Sequence, residues 1–211
     1  LIIVEDTPSL VGVIEELSQA TILGVDTESD SFFSYREKVC HLQLSTLSKD
    51  YIIDPLLCDS LAPLAPVFAN PNIAKIFHGG DYDILGLQRD FDFSFENVFD
   101  TLIAAQLLAL PELGLADLID RFFGNRLDKK YQRHDWSKRP LYQEHIEYAR
   151  GDTHWILALR EILRIKLKGC GRLSHHEEEC RIIQSRKWTA PIKDPARFLR
   201  TRGATGLGDK E

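Results

Sequence analysis

The sequence predicts an α/β protein with three layers, in which helices flank a mixed sheet of five or six strands. Two observations carry this. Short apolar strands come first, in LIIV and ATILGVDTE, and strand–helix units then lead into a mostly helical second half. The length of 211 residues suits one well-buried domain with an appendage.

Residues 1–4 form the first strand. Asp6 or Thr7 caps a helix with Pro8 in its first turn, and Leu10, Val11, Val13, Ile14 and Leu17 supply its apolar stripe. ATILGVDTE is too continuously apolar to be an edge strand. Residues 39–45 and 51–53, broken by Ser48-Lys49-Asp50, complete an antiparallel meander that Asp54-Pro55 ends. A helix over 61–68, despite its prolines, precedes a short buried strand at 73–77. Gly79-Gly80 then turns into a helix over 81–89. Apolar helices follow over 100–110 and 115–123, and a long one over 141–168. Gly169-Cys170-Gly171 breaks that pattern, 175–188 is helical again, and the tail from Pro191 is Pro/Gly-rich and polar.

Composition is that of a soluble globular protein, with 44% hydrophobic and 27% charged residues. No apolar run approaches the roughly 20 residues of a membrane span, and the N-terminus lacks the basic and small-residue features of a secretory signal. The chain does not begin with Met, as expected of a processed or trimmed chain. Cys40, Cys58, Cys170 and Cys180 form neither a CxxC pair nor a zinc spacing, so free thiols in a reducing, cytoplasmic setting are expected.

Net charge is −6, but its distribution is uneven. Between residues 121 and 139 stand seven bases (Arg121, Arg126, Lys129, Lys130, Arg133, Lys138 and Arg139) against two acids, with Tyr131 and Trp136 interleaved. Such a stretch offers phosphate contacts and stacking surfaces to a single strand, or is simply a solvated loop.

The informative residues are acidic. Asp26 and Glu28, two apart on a strand, face the same way. Tyr148 and Asp152, four apart on a helix, share one face. Carboxylates without basic neighbours repel one another unless hard divalent cations such as Mg²⁺ or Mn²⁺ stand between them. In GGDYD, Asp81 fits a helix cap after Gly-Gly, which leaves Asp83 for other work.

Three ordered segments resemble the ribonuclease D family of DEDD 3′–5′ exonucleases. They are VDTE with SFFSYREKVCHLQLS and IIDPL, then FHGGDYDILGLQRDF with VFDTLIAAQLL, then LDKKYQRHDWSKRPL running into YARGDTHWIL. The resemblance covers roughly residues 20 to 168 and implies a ribonuclease H-like fold. It also implies that Asp26, Glu28, Asp83 and Asp152 are metal-binding carboxylates, with Tyr148 orienting the attacking water. The YxxxD spacing of Tyr148 and Asp152 marks the tyrosine type; the histidine type needs His where Glu147 stands.

On that resemblance residues 1–168 are the exonuclease domain, and 169–211 a helical extension and linker toward an HRDC domain. The implied cofactors are two divalent ions, Mg²⁺ or Mn²⁺, with no small-molecule cofactor. The implied partners are single-stranded RNA 3′ ends, transfer RNA precursors among them, with no membrane and a monomeric chain. Phe32, Phe33, His78, Gln132 and Trp136 are the candidate substrate contacts, and Asp135 belongs to the same loop. Alternatives on the same fold are a DNA 3′–5′ exonuclease and a non-catalytic nucleic-acid-binding module.

Overall fold

The computed structural model describes residues 1–190. Six strands form one sheet: β1 (Ile2–Val4), β2 (Ile22–Ser29), β3 (Val39–Ser45), β4 (Asp50–Ile53), β5 (Ala74–Phe77) and β6 (Val98–Asp100). Their order is β1-β4-β3-β2-β5-β6. The β2–β3 and β3–β4 pairs are antiparallel, and the β1–β4, β2–β5 and β5–β6 pairs are parallel. The mixed sheet and its meander are therefore as expected, and β2 is central.

Alternation along β2 sorts the layers. Leu23 and Val25 enter a core with α1 (Thr7–Gln19), α2 (Ala65–Ala69) and α3 (Asp81–Phe91). Ile22 joins the opposite core, with α4 (Thr101–Leu107), α5 (Leu115–Phe123) and α7 (Ile156–Gly169). On that second face α6 (Gln143–His154) covers β2, β3 and β4. Asp6 caps α1 by accepting from the Ser9 amide at 2.6 Å, with proline in the first turn.

Several boundaries differ from expectation for local reasons. The 61–68 segment splits into a 3₁₀ turn, Ala62–Leu64, and α2, because Pro63 and Pro66 withdraw backbone donors. The helix expected over 100–110 is shorter, Thr101–Leu107, and follows an unforeseen strand: Val98, Phe99 and Asp100 pair with β5, and Asp100 caps α4 by accepting from the amides of Leu102 and Ile103. The long 141–168 helix is interrupted at Trp155, so that α6 packs on β2–β4 while α7 packs on α4, β2 and β5. The helix expected over 175–188 is α8 (Leu173–Ser185); it packs on β6, α3, α4 and α7 and buries His176 and Cys180. The four cysteines are free thiols. The polar tail from Pro191 lies outside the described residues.

Candidate active site

Asp26 and Glu28 leave the carboxyl end of β2 on the face covered by α6. Gly24, two residues earlier on that face, has no side chain to hold the helix away. A Cβ there would lie 3.0 Å from the Thr153 carbonyl oxygen and 3.2 Å from Ile156. This backbone approach brings Asp152 to the strand, and carboxylate oxygens of Asp26, Glu28 and Asp152 lie within 4.8 Å of one another. α6 is held in register by Asp50, which accepts from Arg150 Nε at 2.6 Å and lies 3.0 Å from His154 Nδ1. Ser45 Oγ lies 2.7 Å from Asp50 and 2.7 Å from Thr153 Oγ1.

Asp83 comes from the first turn of α3 and stands beside this trio rather than inside it. Its Oδ1 accepts from the Thr27 amide at 3.1 Å and the Thr27 hydroxyl at 2.5 Å, which ties it to the residue between Asp26 and Glu28. Asp81 does not cap α3: the cap position is Gly80, without a side-chain bond, and Asp81 instead pairs with Arg186. The turn before α3 is built by Asp100, whose oxygens accept from the amides of Gly79 at 3.1 Å and Gly80 at 2.8 Å. Gly79 takes φ +73°, and a Cβ on Gly80 would meet Phe77 at 2.5 Å, so both glycines are required.

Burial, then the neighbouring carboxylates, raise the pKa of Asp26 well above the ordinary range. Glu28 is pushed up to about 9 by burial and by Asp152 and Asp83. Asp152 is pushed up to about 7 by burial and by Asp83, and Asp83 to about 6 by burial, against the lowering bonds from Thr27. Among the described residues, the charges that shift these groups are carboxylates: one another and, for Asp83, Asp100. An all-oxygen donor set under such repulsion fits a hard divalent cation.

The trio lines a cleft of about 500 Å³ with Thr27, His78, Leu127, Lys129, Gln132 and Tyr148. Tyr148 stands edge-on to Tyr131, ring centroids 5.7 Å apart. Burial, and then Asp152, Glu28 and Asp26, hold its phenol well above the ordinary tyrosine range.

Residues 1–168 match the family model described as 3′-5′ exonuclease. The chain belongs to that family. Within the DEDD superfamily it is related to the ribonuclease D and RRP6 proteins. It is 38% identical over 186 residues to the exosome complex exonuclease RRP6 of Saccharomyces cerevisiae, covering 88% of this chain and 25% of that protein. It is 39% identical over 166 residues to protein RRP6-like 3 of Arabidopsis thaliana, covering 78% of this chain and 19% of that protein. The chain thus spans a quarter or less of these curated relatives. Among solved structures, the catalytic core of RRP6 from Trypanosoma brucei superposes with TM-score 0.88 at 36% identity, covering 99% of this chain and 59% of that one. Escherichia coli RNase D gives TM-score 0.81 at 27% identity, covering 86% and 49%.

The remaining candidates from the sequence fall into three groups. His78 and Gln132 line the cleft, and His78 Nδ1 sits 3.0 Å from Thr101 Oγ1. Phe32 and Phe33 lie on the turn after β2, 70% and 55% exposed, outside the cleft lining. Trp136 is only 1% exposed and packs with Cys40, Ile52, Ile146 and Ala149, so its ring holds the loop to the body and offers no stacking face. Asp135 accepts from Ser137 Oγ at 2.6 Å within the same loop.

The basic stretch is likewise mostly engaged. Arg139 forks onto Asp54 at 2.5 and 2.7 Å and also reaches the Cys40 carbonyl. Arg121, Arg126, Lys129, Lys130 and Lys138 pair with Glu112, Asp120, Asp117, Glu144 and Asp135. Sequence reasoning missed Gly24, Thr27, Asp100 and the cleft wall at Gly114, Leu115 and Ala116. A glycine two residues before Asp26 on the same strand face was a usable signal for the first.

Proposed function

We propose that this chain is a metal-dependent 3′–5′ exoribonuclease that shortens single-stranded RNA one nucleotide at a time. The observation that carries the proposal is the approach of carboxylate oxygens of Asp26, Glu28 and Asp152 to within 4.8 Å of one another. Asp26, Glu28, Asp83 and Asp152 are the residues that hold two divalent ions, Mg²⁺ or Mn²⁺. When bound, these supply Lewis acidity to the attacking water and neutralise charge on the phosphate.

The chain's own residues position and exclude. Thr27 fixes Asp83 against β2. Tyr148, whose phenol keeps its proton at neutral pH, is a hydrogen-bond donor that orients the water rather than a base. His78, Gln132 and Lys129 on the cleft wall face the terminal nucleotide, and the exposed Phe32 and Phe33 offer stacking surfaces beyond it. A new bond forms from water oxygen to phosphorus and the bond to the 3′-oxygen breaks, so the product is a nucleoside 5′-monophosphate.

Catalysis is assigned to residues 1–168, with the segment beyond leading toward a further nucleic-acid-binding domain of HRDC type. The substrates are 3′ ends of structured RNA, transfer RNA precursors among them, and the chain acts as a monomer. The kinship with RRP6 and ribonuclease D supports RNA over DNA. The test is digestion of matched single-stranded RNA and DNA with Mn²⁺. Wild type is expected to ladder RNA from its 3′ end, and Asp26→Asn or added EDTA to abolish this with the fold intact. Full activity of Asp26→Asn refutes the metal assignment, and a preference for DNA refutes the substrate.

A further inference from the structure

A layer of buried polar side chains lies beside the carboxylates on the same face of the sheet. In the β2–β3 register Gln43 stands opposite Asp26, and His41 opposite Glu28. Directly opposed residues of an antiparallel pair project to one face, with Cβ atoms about 5 Å apart. Ser45, on the same face of β3, meets Thr153, so the face is the one α6 covers. Gln43 is wholly buried and His41 is 1% exposed. Among the described residues, neither amide atom of Gln43 and neither ring nitrogen of His41 has a hydrogen-bond partner.

Leaving such groups unpaired forfeits their hydration with nothing in return, and buried polar groups nearly always have a partner. If Gln43 only filled space, methionine would do so without that penalty. Its cross-strand neighbours are Asp26 on β2 and Ile52 on β4. Only Asp26 carries polar side-chain atoms. An ionised carboxylate accepts and does not donate, so it needs N–H groups, which an amide and an imidazole both provide.

We propose that Gln43 is a positioning residue of the metal site, its amide N–H holding the Asp26 carboxylate in the ligating orientation; His41 packs instead on Trp136, ring centroids 5.2 Å apart. The inference rests on the metal-dependent function proposed above. Partners that orient metal ligands typically change metal affinity by about 10- to 100-fold when removed. Since Gln43 makes no direct bond to Asp26, the contact runs through ordered water, which requires a polar side-chain atom at residue 43.

The test is calorimetric titration of Mn²⁺ into the wild-type chain and Gln43→Met, with thermal unfolding of both proteins free of metal. Gln43→Met is expected to fold, to melt at or above the wild-type temperature, and to bind Mn²⁺ about 10-fold more weakly. Folded Gln43→Met with wild-type Mn²⁺ affinity overturns the role of Gln43 alone. Wild type that takes up no Mn²⁺ overturns the metal assignment, and the role of Gln43 with it. Gln43→Asn, which withdraws the amide by one methylene, is the second variant. It too is expected to weaken Mn²⁺ binding, and wild-type affinity there also overturns the role.

Discussion

Gly24 and Thr153 meet backbone to side-chain position: a Cβ on Gly24 would sit 3.0 Å from the Thr153 carbonyl oxygen. The strand bearing Asp26 and Glu28 and the helix bearing Asp152 are therefore separated by no side chain at this crossing. The site's carboxylates are close because a glycine lets them be.

Replacing Gly24 should separate them. Gly24→Ala is expected to cost about 1–3 kcal/mol through overpacking against Thr153 and Ile156. It should lower the cleavage rate by about 10-fold or more, since small misplacements of reacting groups are amplified in rate. Denaturant unfolding and single-turnover digestion of RNA measure the two effects. An Ala variant with wild-type rate would mean that the crossing does not set the site.

Glu28→Gln replaces a carboxyl that burial and its neighbours push up to about 9, so that folding without metal no longer has to protonate it at neutral pH. The metal-free protein is expected to melt about 4 °C higher, a gain of roughly 1 kcal/mol, while Mn²⁺ no longer raises its melting temperature. A lower melting temperature in the metal-free variant would show that Glu28 is already satisfied by the protein.

Asp50 holds α6 through Arg150, His154 and Ser45. Asp50→Ala is expected to cost about 1.5–3 kcal/mol, the range for hydrogen bonds to charged groups. Activity should fall with it, because Tyr148 and Asp152 ride on that helix. Unfolding and activity measured together check this; full activity in a destabilised variant would uncouple the helix anchor from the site.

Lys75 is buried on β5, its Nζ donating to the Asn70 carbonyl at 2.6 Å. Burial pushes its pKa down to about 8, against a raising influence from Glu96. The unfolded lysine titrates near 10.4, so between about pH 8 and about 10.4 the unfolded chain holds a proton that the folded one releases. Stability from this group therefore rises with pH across that window. Lys75→Met should stabilise the protein most at pH 7 and progressively less toward pH 10. A gain that does not change with pH would contradict the depressed pKa.

Much of this was legible because alternation and spacing are local. The strand face shared by Asp26 and Glu28, the helix face shared by Tyr148 and Asp152, and the central position of β2 all follow from periodicity. The choice of Asp83 over Asp81 for the site's surroundings was also accessible, although Asp81 turned out to pair with Arg186 rather than to cap. What periodicity does not carry is cross-chain pairing. Asp54 takes Arg139, and Asp50 takes Arg150, across 85 and 100 residues of sequence. The Arg139–Asp54 pair ties the loop to the body beside the inward-turned Trp136, whereas Arg121, Arg126, Lys129, Lys130 and Lys138 are neutralised by acids close in sequence. The break at Trp155 was hidden for the same reason, since it reflects two different packing partners and no helix-breaking residue.

The most direct test of the central claim is anomalous diffraction from crystals soaked in Mn²⁺. Density for two ions is expected within ligand distance of Asp26, Glu28, Asp83 and Asp152, one of them between Asp26, Glu28 and Asp152. Manganese bound elsewhere, or carboxylates turned away from one another with no ion between them, would contradict it.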